Sequence, residues 1–247
     1  MKILWLFAII VAIIGGYRIL RANKKPNNSV TLGGRSKKKT MTDISATISS
    51  LQKTNRSILV QSGSTPIETF LRLPLLLQKN GQYADAFNEF ERLISIVPAK
   101  IAKEFAHISI REQNSLIAME RATIFDKMRL AAQRENQFDS AVYFQILSFA
   151  YRALGLKLQE RDEEFDGFNS HDFWHSRIDS LLKKAKKESC ATALVEKCTL
   201  YIQGCTAGSL TRLTSEISTI LEINGTKENA QQGVAPYVAQ GAPSGER

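Results

Sequence analysis

Residues 65–98 read TPIETFLRLPLLLQKNGQYADAFNEFERLISIVP. Apolar side chains recur every three or four residues on both sides of Asn80-Gly81, which is the spacing of a helix face. Phe70, Leu73, Leu76 and Leu77 precede the break, and Phe87, Phe90, Leu93, Ile94 and Val97 follow it. Thr65 is placed to cap the first helix, Pro66 fits its first position, and Glu68 completes a capping box. The second helix is predicted from about Ala84 to Ile96, with Pro98 ending it. Two amphipathic helices joined by a glycine-containing turn form an αα-hairpin, so the fold class is all-α.

The residues of this hairpin resemble a tetratricopeptide repeat. The pattern W-x2-L-G-x2-Y, A-x3-F, P is met in spacing by Phe70, Leu73, Pro74 and Leu77, then Ala86 and Phe90, then Pro98, with Gly81 and Tyr83 at the inter-helix turn. Pro74 departs from the pattern and predicts a kink, because proline has no N–H to give to the preceding turn. A weaker second copy follows 55 residues later in Phe125, Met128, Ala132, Asn136, Phe138 and Ala141, continuing through Tyr143, Phe144, Leu147 and Tyr151, with Gln145 where the aromatic would stand. The resemblance implies a stacked helical domain whose concave surface binds a partner protein.

Working towards the N-terminus, Ile44, Ile48, Leu51, Ile58 and Leu59 place one apolar stripe on a helix within residues 42–62, expected to dock on the body. Residues 21–41 are polar and basic and read as a flexible linker. Residues 1–20 read as a single transmembrane anchor built on Ile3, Leu4, Trp5, Leu6, Phe7, Ile9, Ile10, Val11, Ile13 and Ile14. That apolar run approaches the roughly 20 residues that cross a hydrocarbon core. A cleaved signal peptide would leave through small residues, whereas this run leaves through Tyr17 and Arg18.

Charge supports the same reading. The chain has 33 basic and 24 acidic residues, but the first 40 residues hold nine of the basic ones and no acid, so the body is balanced at 24 against 24. Arg18, Arg21, Lys24 and Lys25 are placed to contact anionic lipid, each contributing about 1 kcal/mol near the surface. They also predict that the C-terminal body lies on the cytoplasmic side. A neutral body gives nucleic acid binding no electrostatic support. Three cysteines, Cys190, Cys198 and Cys205, make no disulfide framework.

The helical domain is expected to span residues 63–223 and to be followed by a disordered tail over 224–247, rich in Gly, Gln, Ala and Pro. Lys183 to Lys187 mark a helix end or a solvated face. Cys190, Leu194, Cys198, Tyr201 and Cys205 fall on one helical stripe, and Gly204 and Gly208 separate it from a last helix, Leu210 to Ile223. His171-Asp172-Phe173-Trp174-His175 is the one catalytic suggestion, since two histidines four apart share a helix face as in zinc proteases. No third ligand is evident, and His107 is the only other histidine. Neither a phosphate loop nor a nucleophile elbow is present.

These features predict a membrane-anchored, non-enzymatic scaffold without a cofactor, binding another protein through its helical surface. A homo- or hetero-oligomer is compatible with this reading, and a structural subunit of a multi-protein membrane complex and a zinc-dependent hydrolase using His171 and His175 are the alternatives.

Overall fold

In a computed structural model, the described residues are 41–60, 65–161 and 177–222. They form nine α-helices: α1 (Met41–Arg56), α2 (Ile67–Phe70), α3 (Arg72–Lys79), α4 (Tyr83–Glu104), α5 (Ile110–Arg134), α6 (Phe138–Leu158), α7 (Asp179–Ala185), α8 (Ala191–Gly204) and α9 (Ala207–Ile220). A 3-10 turn, Glu188–Cys190, precedes α8, and no strand occurs among the described residues. The fold is all-α. The expected anchor, residues 21–40 of the expected linker, His171, His175 and the expected tail lie outside the described residues, and Met41 opens α1 instead of ending the linker. Among the described residues, no helix is long and apolar enough to cross a membrane.

The first hairpin starts differently from the expectation. No side-chain cap forms at its N-terminus, where Pro66 rather than Thr65 is the capping position of α2. The helix then breaks at Leu71 instead of running straight to Asn80. Pro74 supplies the reason: it has no N–H for the carbonyl of Phe70, one turn back. Asn55 of α1 fills that role, its Nδ2 donating to Phe70 O at 2.9 Å and to Glu89 Oε1 at 2.6 Å. Arg92 closes the network by bonding Glu89 and the Asn55 carbonyl. The amphipathic α1 is thereby held on the hairpin, where Ile48 packs with Leu73, Leu77 and Ala86. Leu59, expected on the same stripe, is exposed, whereas its neighbour Ile58 is buried.

Asn55→Ala is therefore expected to destabilise the fold by about 1–3 kcal/mol, because a buried carbonyl loses its donor. Urea denaturation would measure this. Restoring an N–H with Pro74→Ala should make the double variant less damaged than the sum of the two single changes. Simple additivity would show that Asn55 acts only through packing.

Two hairpins share one turn design. Gly81 ends α3 with a positive φ of 79°, and Asn136 ends α5 at 59°. In each turn the following glutamine donates back across the helix end, Gln82 N to Leu77 O and Gln137 N to Ala132 O, both at 2.9 Å. These 6→1 bonds satisfy carbonyls that a helix end leaves open. The two hairpins meet through Gln78, which donates to Ala131 O and accepts from Arg134.

The centre of the described helices is α6. Its residues 141–148 are all buried, and α5, α7, α8 and α9 pack around it. A helix whose central two turns carry no charged side chain has little solvent face to spare and takes the interior position. The approach of α5 is close enough that a Cβ on Gly155 would stand 2.9 Å from Met119 Cγ. Ser115 and Ser148 pin the same pair of helices, donating to Gly155 O and Ala122 O at 2.8 Å.

Pro98 does not end α4, which continues to Glu104. The extra turn is held by Lys100, whose Nζ lies 3.1 Å from Glu104 Oε2 and 2.7 Å from Glu120 Oε1 of α5. Ile101 is buried in the same turn. One missing backbone bond is thus offset by tertiary contacts. Burial raises the Glu120 carboxyl above its ordinary value and outweighs the bond from Lys100, and the charges of Glu104 and Glu68 push the same way.

A raised native pKa means that the folded chain holds a proton the unfolded chain releases. This contribution to stability is complete below the ordinary value of 4.5 and is lost as the pH rises through the native one. Glu120→Gln should remove that dependence. The stability of the parent relative to the variant should fall as pH rises from 4.5, and a constant difference would contradict the assignment.

At the C-terminal end, Ile178, Leu181 and Leu182 are buried on or beside α7. The basic run ends that helix, with Lys186 left-handed and Lys187 bonding Leu221 O and Glu222. The cysteine stripe is not one continuous helix. Cys190 lies in the 3-10 turn and Cys205 is the left-handed residue after α8. Cys198 alone sits within α8, and burial pushes its thiol pKa up. The last helix begins at Ala207, so Gly208 lies inside it. A capping box between Thr206 and Ser209 makes the start.

Candidate functional site

The residues expected to pack the first hairpin divide into two groups. Phe70, Leu73, Leu77, Ala86 and Phe90 are buried. Tyr83 is 43% exposed and stands clear of the core. Gly81 is exposed at its turn, and Pro98 is half-buried in the wall of a groove. His107 is exposed beyond α4, its ring 6.3 Å from that of Phe105. Among the described residues, no group of three or more His, Cys, Asp or Glu side chains is placed to hold a metal.

The groove encloses about 820 Å³ between α4, α5, α6 and the entry to α9. Pro98, Ala99 and Ala102 of α4 form one wall, and Ile117 and Ala118 of α5, Leu154 of α6 and Leu210 of α9 complete an apolar interior. Such a concave, largely apolar site with a few polar groups is the usual form of a binding site. Local rules fix its ends. A capping box between Ser109 and Glu112 starts α5, and Gln113 donates to Phe105 O and Ile108 O, securing the turn out of α4.

Among the described residues, three cations line the groove, Arg111, Arg121 and Lys157, and no Asp or Glu does. The Arg121 guanidinium lies 5.8 Å from the centre of the Tyr151 ring, an attraction worth about 0.5–2 kcal/mol. Burial raises the Tyr151 hydroxyl pKa, and Arg121 partly opposes that rise through its charge and a hydrogen bond. At the other end Arg111 pairs with Glu160 at 2.6 Å, both side chains being more than half exposed.

None of the three cations was singled out by sequence periodicity. The available signal was Arg121 beside the apolar positions Ala118, Ala122 and Phe125, where a solvated residue would not be expected. No protein-family model, no curated protein and no solved structure matches the chain.

Proposed function

We propose that the chain is a membrane-anchored protein-interaction or assembly scaffold, in which tetratricopeptide-like hairpins present a groove to a partner protein. The observation that carries the reading is the groove itself, apolar along its interior and bordered by cations, with three separate helices and the start of a fourth supplying its walls. Two further features support it. The hairpins repeat one turn geometry at Gly81 and Asn136, and the buried positions Leu77, Ala86 and Phe90 of the first hairpin correspond to Ala132, Ala141 and Gln145 of the second. The apolar run at residues 3–20 would hold the groove at a bilayer, with Arg18, Arg21, Lys24 and Lys25 at the lipid surface, and would raise the local concentration of a membrane-bound partner.

Site-directed photo-cross-linking in cells tests the reading. A photoreactive residue at Ala102, inside the groove, is compared with one at Asn88, exposed on the same helix but outside it. A discrete protein adduct from position 102 only, lost when Ala99 is replaced by tryptophan, is the expected result. Equal adducts from both positions would overturn it.

A further inference from the structure

We infer that the groove takes an amphipathic helix carrying two carboxylates about three turns apart on the face that bears its apolar anchors. The inference rests on the protein-binding reading and names the chemistry of the partner. Its first ground is the placement of the cations. Arg111 and Arg121 are ten residues apart on α5, about 15 Å at a rise of 1.5 Å per residue, and both line the groove. Because α6 runs back along α5, Tyr151 stands by Arg121, whereas Lys157 belongs to the end where Arg111 meets Glu160. Among the described residues, positive charge therefore marks both ends of the groove and none lies between.

A fatty acid offers a single carboxylate and would match only one end. A partner helix crossing about 15 Å uses ten or eleven residues, and residues eleven apart return to the same face after three turns. Acids at such positions meet Arg121 and the Arg111–Lys157 pair, while apolar residues between them enter the groove at helical spacing. The second ground is the room for a backbone: Ala99, Ala102, Ala118 and Ala207 present only methyl groups to the groove, so a helix can approach closely. The exposed Arg111–Glu160 pair is no obstacle. Exposed pairs of that kind are weak, and a partner carboxylate can take the place of Glu160.

The test is selection from a displayed library of helical 18-residue peptides against the purified full-length chain in detergent, counter-selected against an Ala102→Trp variant whose indole fills the groove. Enriched peptides should carry Asp or Glu ten or eleven positions apart, flanking apolar residues. Binding of a selected peptide should weaken about tenfold in Arg121→Gln, the low end expected for losing one hydrogen bond to a charged group. It should also weaken in Arg111→Gln, with the denaturation midpoint nearly unchanged because the Arg111 side chain is more than half exposed. Enriched peptides without paired acids, unaffected by both arginine changes, would overturn the charge assignment while leaving a protein-binding groove. Absence of any enrichment over Ala102→Trp would overturn the groove reading with it. Displacement of selected peptides by a long-chain fatty acid at one-to-one stoichiometry would reassign the site to lipid.

Discussion

Replacing Lys100 by methionine is expected to remove about 3–5 kcal/mol of stability, the range for breaking a buried ion pair by deleting one partner. That is a large share of the roughly 5–15 kcal/mol that holds a domain folded. The Lys100 side chain is 1% exposed and lies between Glu104 at 6% and Glu120 at 17%. Methionine keeps most of the aliphatic stem, so packing changes little. What remains is two carboxylates facing each other out of water, with Glu68 near enough to add its charge. Chemical denaturation of the full chain reads the loss. Two controls separate charge from shape. The deficit should shrink as the pH is lowered through the carboxylate range, and adding Glu104→Gln and Glu120→Gln to Lys100→Met should recover most of the stability. A triple variant as weak as the single one would show that Lys100 acts through its volume.

The same lysine explains why one boundary was misplaced in the sequence reading. Proline inside a helical pattern signals a stop, and Pro98 carries that signal although the helix continues to Glu104. The rule counts the missing N–H and the crowded preceding turn, but it has no access to Glu120, which meets Lys100 from twenty residues away. Phe70, Leu73, Leu77, Ala86 and Phe90 were legible because burial of a helix face follows from periodicity within one segment. The kink near Pro74 was legible for a similarly local reason. Its rescue by Asn55 was not, since an asparagine near the end of a polar-faced helix looks like solvated surface. Caps were misread in the opposite sense. Thr65-x-x-Glu68 has the capping-box spacing and forms none, whereas Ser109-x-x-Glu112 has the same spacing and forms one. The groove was least legible, because Ala102, Arg121, Leu154 and Ala207 meet only once four helices are packed, and no spacing within one helix encodes that meeting.

Phe144→Ala should cost about 3–5 kcal/mol, the range for truncating a buried aromatic to alanine. Its effect should reach the groove as well as the core. Phe144 is the middle of a run of rings that crosses from α4 to α5 and α6. Phe90 meets Phe87 edge to face at 6.2 Å, Phe87 stacks on Phe144 at 6.1 Å, Phe144 stacks on Phe125 at 6.2 Å, and Phe125 stacks on Tyr151 at 5.3 Å. Tyr143 packs edge to face against Phe144 at 5.6 Å. Each pair adds about 0.5–1.5 kcal/mol beyond the area it buries. The run joins α4 of the first hairpin to α5 and α6 of the second and ends at Tyr151, over which Arg121 sits. Removing the middle ring leaves Phe87 and Phe125 facing a cavity that neither can fill alone. The expected readouts are a lower denaturation midpoint and, at temperatures where the variant stays folded, weaker binding of a groove-selected peptide with the same preference for paired acids. Phe144→Leu, which retains more of the volume, should lie between parent and alanine in both. Equal stability of the leucine and alanine variants would show that ring stacking rather than filled volume joins the hairpins. An unchanged midpoint for Phe144→Ala would show that the two hairpins are held together elsewhere, through Gln78 and its bonds to Ala131 and Arg134.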